Sequence, residues 1–406
     1  MSEELNLFDQ TLIAPKWKDK HHFLRRIFIF SVSVSAIITC VTGRQTLKGT
    51  APIVVIGGDT HFGENYASRK SFGGPSENGQ NVAYSRGFFW LKPLLDRAMW
   101  KVVNLETPLS SALNETRLDK EYVHWAHAEH AGRALAAGGI NAAGLANNHV
   151  LDQGPQGLKK TFSTLNRYGI DAFGAGLELS QAQAPLVRKV NLSERRARTV
   201  AIFGMFEVRR DYREKLDFYA DTKKLGVAPI DVAAFAKQVS VLRKADPNAF
   251  VIAYPHWGKN YTWASDAQVE IGHALIDAGA DIVIGHHAHT LQEIERYKSK
   301  WILYGIGNFI FNAPGRYSKY PSSLPFSLVV ELVFGGDPTA IPRVKLHPFL
   351  SDNLQTRYQP RPASADEALV IMSAIRARPH SKGFAAELVD DSSGTKAILL
   401  ISDERK

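Results

Sequence analysis

Three histidines follow a strongly apolar segment in the second half of the chain. Residues 280–284 are rich in branched side chains and predict a buried strand, and His286, His287 and His289 come directly after it. Imidazole is the commonest metal ligand among side chains, and it titrates near neutral pH. Three imidazoles at the end of one strand therefore direct attention to other polar residues that could bind the same ion.

Four earlier apolar segments also end in residues that can bind metals. Residues 52–58, 101–106, 140–146 and 249–255 each predict a strand. The polar residues at or after their ends are Asp59, His61, Glu106, Asn148, His149 and His256. Because ligands bind at the carboxyl ends of strands in open α/β sheets, we expect these side chains to meet at one edge. Singly, Asp59 or Asn148 would be an ordinary turn residue, but the joint pattern predicts a nitrogen- and oxygen-rich site for Mn, Fe or Zn.

Strand-like and helix-like segments alternate along the chain. Helical periodicity covers residues 128–139, 157–169, 232–245 and 265–279, and Ser265 has the side chain of an N-cap for the last of these. The helices fall between the predicted strands, which indicates an α/β fold with helices on the faces of a sheet. The strand-rich stretch 326–349 predicts a second sheet layer.

The composition is that of an ordinary globular protein with a basic excess. The 406 residues are 45% hydrophobic and 22% charged, and the formal net charge is +9. This length allows one large domain or two ordinary ones. The single cysteine, Cys40, excludes an internal disulfide. Because the sequence has no nucleic-acid-binding motif, the basic excess favours a mild attraction to anionic polymers or membrane surfaces.

The N-terminal region predicts a membrane anchor. Residues 27–43 carry no charge, and five basic residues precede them. By the positive-inside rule, we expect residues 1–26 to be a cytoplasmic tail and 27–43 an uncleaved transmembrane signal anchor. A linker at 44–51 then leads to one domain, 52–406, outside the cytoplasm. The protein would be a single-pass protein of the cell membrane; cleavage of the signal would instead give a secreted or periplasmic protein.

Six motifs in order give the chain a specific resemblance. GDTHFG, NLETPL, ANNHVLDQGPQGL, HWGKNY, GADIVIGHHAHTLQ and YGIGNFIFN resemble motifs of the CapA family over residues 53–335. These are bacterial capsule or poly-γ-glutamate synthesis proteins of the calcineurin-like metallophosphoesterase superfamily. The resemblance implies a four-layer α/β/β/α sandwich and a centre for two divalent metal ions.

The resemblance also assigns expected roles to individual residues. The ligands that it implies for the first metal are Asp59, His61 and His289, and those for the second are Asp59, His256 and His287, with Asn148 as a further ligand. Glu106 stands where the superfamily has a bridging aspartate. His149 matches a histidine that acts in catalysis without binding metal. Asp152 could orient His149 or cap a helix that begins near Gly154. His286 is interpreted as an extra histidine, and His124 as a surface or half-buried residue outside the site.

Three functions are consistent with these features. The first is an exported, membrane-anchored metal-dependent hydrolase of capsule or poly-γ-glutamate synthesis, acting on a phosphoester or a related acyl or amide bond. The second is a non-catalytic assembly or polymer-binding subunit, and the third a cytoplasmic phosphoesterase. The complete ligand set favours the first. The expected partners are an anionic envelope polymer or its precursor and other membrane subunits of a synthesis complex, with no nucleic acid.

Overall fold

The structure is a computed structural model that describes residues 51–63, 84–111, 118–389 and 398–401. All of them belong to one compact unit, Ala51–Lys406. The predicted tail at 1–26 and membrane anchor at 27–43 lie outside the described residues. Within those ranges, no helix has both the length and the apolar character needed to cross a membrane.

Short strands are the main elements of the fold. In chain order the strands are β1 (Ile53–His61), β2 (Trp100–Leu105), β3 (Leu109–Ser110), β4 (Ala126–His127), β5 (Ala142–Gly144), β6 (Asp171–Phe173), β7 (Ala175–Gly176), β8 (Leu186–Asn191), β9 (Ala197–Phe206), β10 (Gly226–Val227), β11 (Phe250–His256), β12 (Ile282–Ile284), β13 (Ile294–Tyr297), β14 (Lys300–Leu303), β15 (Asn308–Phe311), β16 (Phe326–Val333), β17 (Arg343–Leu350), β18 (Arg361–Pro362), β19 (Ala386–Val389) and β20 (Ile398–Ile401).

Helices connect many of these strands. They are Lys92–Arg97, Ala128–Ala137, Gly154–Arg167, Leu179–Gln183, Arg210–Glu214, Val232–Ala245, Asp266–Asp277, Asn353–Thr356 and Ala365–Arg376, with a 3₁₀ turn at Tyr317–Lys319. The predicted N-cap is confirmed: Ser265 accepts a hydrogen bond from the backbone of Gln268, whose side chain pairs back with the Ser265 backbone. The mixed α/β class predicted from the alternating pattern is also confirmed.

The strands form two large sheets. The first has the order β19-β20-β17-β16-β1-β2-β5-β6, with β15 beside β1 and β18 beside β17. The second has the order β13-β14-β12-β11-β9-β8. In the first sheet β1, β2, β5 and β6 are parallel neighbours. In the second, β9, β11, β12 and β14 are parallel.

The prediction that the strand-rich tail builds a second layer is wrong. β16 pairs antiparallel with β1, and β17 pairs antiparallel with β16, so both extend the first sheet. The second sheet comes from the middle of the chain, β8 to β14. Hydrophobic patterning identifies a strand but not its partner, because a strand buried on both faces has the same composition in either sheet.

Hydrophobic contacts fix the order of the layers. Successive residues of β1 face opposite ways, as strand geometry requires: Val54 and Ile56 join the core between the sheets, and Val55 joins the core under the helices Ala128–Ala137 and Gly154–Arg167. The outer face of the second sheet packs on the helices Val232–Ala245 and Asp266–Asp277. The chain is therefore layered as helices, sheet, sheet and helices.

Candidate metal centre

The carboxyl ends of parallel strands from both sheets meet at one edge of the molecule. Asp59 and His61 end β1, and Glu106 follows β2 in the first sheet, whereas His256 ends β11 of the second. Across the two sheets, Asp59 Oδ1 lies 3.7 Å from His256 Nδ1. The predicted convergence of polar strand ends is therefore found in the structure.

A close approach of two backbone segments shapes the first-sheet side of this edge. The Asp59 N–H donates to the carbonyl of Gly307 at 3.1 Å. A Cβ on Gly58 would lie only 1.9 Å from that same carbonyl oxygen, so only glycine fits there. The contact places β15 beside the end of β1, and Asn308 Oδ1 then lies 2.9 Å from His289 Nδ1.

Buried acidic and histidine side chains form three overlapping groups that could hold metal ions. In each group the ligand atoms lie within 4.8 Å of one another. The first group is Asp59, Glu106 and His289, and the second is Glu106, His256 and His287. The third is Asp59, His256 and His286. The first two groups share Glu106, so two adjacent ions could share this carboxylate. Every member has less than a tenth of its surface exposed.

Glu106 is the acidic side chain of these groups whose oxygens the described protein residues leave unpartnered. Its side chain is fully buried, and neither carboxylate oxygen has a hydrogen-bond partner among the described residues. The nearest basic atoms are His256 Nε2 at 3.5 Å and His289 Nδ1 at 3.9 Å. Burial, and then the charge of Asp59, raise the pKa of Glu106 well above its usual value. Because an unpaired buried carboxylate is costly, these donors fit a bound divalent cation.

Asp59 is held in its charged form by the protein itself. It accepts hydrogen bonds from Asn104 Nδ2 at 2.8 Å and from the His287 backbone at 3.0 Å. Burial raises the pKa of Asp59, but the hydrogen bonds from His286 and His289 outweigh it and hold the pKa well below its usual value. A carboxylate that stays ionised can bind a cation over the whole neutral pH range.

His256 and His287 are held in the neutral form, which is the ligating form. Burial lowers the pKa of His256 and of His287 well below the usual value, and neighbouring positive groups add to the effect. Neutral imidazole presents a free lone pair to a metal ion. Nδ1 of His287 has no hydrogen-bond partner in the described part of the chain.

The backbone that carries two of these histidines is strained. His287 has φ 99° and His289 has φ 55°, a region that side chains other than glycine rarely adopt. Surrounding contacts impose this conformation: the Tyr261 N–H donates to the Ala288 carbonyl at 2.7 Å, and the Tyr317 hydroxyl donates to the His289 carbonyl at 2.8 Å. Strain of this kind is kept where it positions functional side chains.

Beside the three groups, His149 and Asp152 form a buried pair. His149 Nδ1 lies 2.7 Å from Asp152 Oδ2, so the carboxylate orients the ring. Lys120 binds the other oxygen of Asp152 at 2.6 Å and lies 3.3 Å from His149 Nδ1. The alternative prediction, that Asp152 caps a helix, is wrong. The N-cap position of the helix Gly154–Arg167 is Gln153, and no side chain caps this helix.

Two more predicted ligands lie close to these groups of acidic and histidine side chains. Asn148 Oδ1 is 2.6 Å from His256 Nε2. The His61 ring stacks on Phe311 at 4.7 Å between ring centroids, and Phe311 also contacts the His289 ring at 4.8 Å.

Sequence reasoning missed three residues at the centre. His286, which the sequence indicates to be an extra histidine, has its Nδ1 2.7 Å from His256 Nδ1 and 3.4 Å from Asp59 Oδ1. The rings of His124 and His149 are 4.3 Å apart, and Lys120 binds Asp152. His286 could have been predicted from the sequence, because it belongs to the same triplet as His287 and His289. His124 and Lys120 come from a stretch with no strand end to mark it.

Comparisons with known proteins identify the family. The profile of the bacterial capsule synthesis protein family PGA_cap matches residues 53–313, more than half of the chain. The chain therefore belongs to this family, and the CapA resemblance predicted from the motifs is confirmed.

Two relatives illustrate the extent of the similarity. The PGA biosynthesis protein CapA of Bacillus subtilis (strain 168) is 32% identical over 227 residues, which cover 55% of this chain and 56% of that protein. The capsule biosynthesis protein CapA of Bacillus anthracis is 27% identical over 326 residues, which cover 77% of this chain and 74% of that protein. The match to the first relative thus spans little more than half of its length.

Among solved structures, the calcineurin-like phosphoesterase YfkN from Bacillus subtilis is similar over 73% of this chain and 90% of that chain. Its TM-score is 0.43 and its sequence identity 14%.

Proposed function

We propose that this protein is a metal-dependent hydrolase of capsule or poly-γ-glutamate synthesis, acting on a phosphoester or a related acyl or amide bond. One observation carries the proposal: two groups of buried ligand atoms share Glu106, whose oxygens have no other partner in the described residues. Membership of the PGA_cap family and the names of the Bacillus relatives support the capsule role. The anionic envelope polymer or its precursor is the proposed substrate.

Two divalent ions, of Mn, Fe or Zn, would be held by residues of these groups. Asp59, Glu106 and His289 would hold the first ion, with His61 beside them, and Glu106, His256 and His287 the second, with Asn148 beside them. Bound metal ions supply two things: they lower the pKa of a water molecule, and they stabilise negative charge as it develops.

The protein side chains then perform the proton chemistry. Asp152 and Lys120 fix the Nδ1 side of His149, so the Nε2 side is the one available to a substrate. From there His149 could donate a hydrogen bond to the attacked group or exchange a proton with the leaving group. His149 is absent from all three groups, which separates this role from metal binding.

For location, we propose that residues 27–43 anchor the protein in the cell membrane with residues 51 onward outside the cytoplasm. The charge asymmetry around this uncharged segment supports the orientation. In this setting the protein would work beside other membrane subunits of a polymer synthesis complex.

The test compares His149→Ala with His256→Ala in the full chain. His149→Ala should keep its metal content and fold but lose about 10²–10⁴-fold of the hydrolysis of phosphoester probes such as p-nitrophenyl phosphate. His256→Ala should lose both metal and activity. The same variants should be scored for polymer formation in cells. Parent-level polymer formation by His149→Ala, with its metal intact, would replace the hydrolase by a non-catalytic assembly or polymer-binding subunit.

A further inference from the structure

A cavity lies at the opposite end of the second sheet from the metal centre. Its volume is about 180 Å³, several times the roughly 30 Å³ that one water molecule occupies in the liquid. It is lined by the first residues of parallel strands, among them Phe250 of β11 and Ile282 of β12. His256 and His287 lie at the carboxyl ends of the same two strands, so the cavity and the metal centre are separate sites.

The lining of this cavity has more positive than negative charge. Arg198, Arg243 and Lys300 line it, and Asp281 is the one acidic side chain among its described lining residues. Asp281 Oδ2 accepts hydrogen bonds from Arg243 Nη2 at 2.7 Å and from the Val251 backbone N–H at 2.8 Å. Asp281 Oδ1 lies 3.5 Å from Lys300 Nζ. Its charge is therefore already shared by two cations.

Of the three cations that line the cavity, Arg198 is the one that forms no ion pair with a carboxylate of the described residues. Only 6% of its surface is exposed, and its guanidinium lies 5.2 Å from the ring centre of Phe250. Nε and Nη1 donate to the carbonyls of Asn248 and Ala340, whereas Nη2 makes no hydrogen bond to any residue that the structure describes. Burial lowers the pKa of Arg198, and the nearby charge of Asp281 partly opposes this shift.

Two further acids lie near Arg198, but neither compensates it directly. Asp246 is bound to the Thr199 hydroxyl and lies 3.3 Å from Lys189 Nζ. Asp337 lies on the surface, where its carboxylate accepts hydrogen bonds from Thr339. A buried guanidinium with an unused donor therefore faces a cavity that is large enough for more than water.

We propose that this cavity binds an organic anion, with Arg198 Nη2 donating to an oxygen of its carboxylate or phosphate group. Charge-assisted hydrogen bonds from arginine to these groups are among the strongest in proteins. The aromatic and aliphatic walls, including Phe250, Trp301 and Val344, would contact an apolar part of the same ligand. The site does not depend on the proposed hydrolysis.

Benzoate and phenyl phosphate are suitable probes, because each joins an anionic group to an apolar ring. Their binding should be measured by isothermal titration calorimetry on the full chain, after chelator treatment so that phosphate cannot bind through metal. Saturable binding of either probe supports the site, and the probe that binds more tightly identifies the anionic group as carboxylate or phosphate. Saturable binding of neither probe would overturn the proposal.

Ile341 allows the charge of the cavity to be changed without disturbing the core. It lines the cavity, yet 58% of its surface is exposed, so charged replacements should fold. Ile341→Glu should weaken probe binding about tenfold by repulsion, and Ile341→Lys should bind at least as tightly as the parent. Leu354→Glu is the matched control, because Leu354 is 65% exposed and lies beyond the carboxyl end of β17. Equal affinity of the two Ile341 variants would place the probes elsewhere and overturn the proposal.

Discussion

Glu106 and Asp152 show how differently two buried carboxyl groups can be satisfied. Asp152 is bound by Lys120 and His149, which are part of the protein. Glu106 is equally buried, but its oxygens find no hydrogen-bond donor among the described residues. Since leaving a buried carboxylate unpaired is costly, the difference supports the proposal that Glu106 binds an external cation and that Asp152 orients His149.

Lys120 should matter to catalysis although it is in none of the metal groups. Lys120→Met should lower activity about 10²-fold, because His149 and Asp152 lose the group that holds them in place. Metal content should stay unchanged. Because Asp152 would remain buried without its cation, the free energy of unfolding should also fall by about 3 kcal/mol, so activity should be measured well below the melting temperature.

The control for this variant is Lys92→Met. Lys92 also pairs with an aspartate at 2.6 Å, Asp96, but both side chains are more than half exposed. An exposed pair contributes little, so Lys92→Met should behave like the parent. A Lys120→Met protein with parent activity would show that Lys120 does not position His149.

Asp152 should set the acid limit of activity. Burial raises its pKa to about 6 against the opposing charge of Lys120. Below that pH the carboxyl group is protonated, so it can no longer accept hydrogen bonds from both His149 and Lys120. Activity should therefore fall as the pH drops through about 6 and be retained above it. In a pH–rate profile, Asp152→Asn should lack this limb; a variant that keeps it would assign the limb to another group.

Among the elements, the helix Asp266–Asp277 is the clearest case in which local sequence determines structure. Ser265 and Gln268 form a capping box at its start. Ser265→Ala should lower the free energy of unfolding by about 1 kcal/mol, measured by urea denaturation. Ser373→Ala, at an exposed position inside the helix Ala365–Arg376, is the control and should not destabilise. Equal stability of the Ser265→Ala variant and the parent would remove the capping box as a source of stability.

The elements could be predicted from the sequence more readily than their pairing. The helix Val232–Ala245 has the predicted bounds, and at its start the Asp231 side chain accepts a hydrogen bond from the Ala234 backbone. The membership of β16 and β17 in the first sheet could not be predicted, since strand pairing depends on contacts distant in sequence. His124 and Lys120 were missed for the same reason: they reach the site through tertiary contacts rather than from the end of a strand.

At the scale of the whole molecule, the two sheets contribute different parts of one centre. The first sheet supplies Asp59 and Glu106, and the second supplies His256, His287 and His289 from the ends of β11 and β12. Neither sheet alone holds a complete group. The core between the sheets therefore determines the spacing of the candidate metal ligands as well as the stability of the fold.

The proposed membrane topology predicts where the domain works. A reporter that is active only outside the cytoplasm, fused after Lys406, should be active in cells. The physical reason is the basic flank before residues 27–43, which is retained in the cytoplasm. The control replaces the five basic residues of 1–26 with glutamine and should reduce the active fraction. A stable but inactive fusion would place the domain in the cytoplasm.

The most direct test of the central claim is the metal content of the purified full chain, measured by elemental analysis after incubation with Mn or Zn and removal of free ions. The purified chain should contain one or two divalent ions. Asp59→Ala and His289→Ala should each lower that ratio, because both residues belong to the group with Glu106. His149→Ala should leave the ratio unchanged. A parent protein without bound metal under these conditions would contradict the metal centre and the hydrolase built on it.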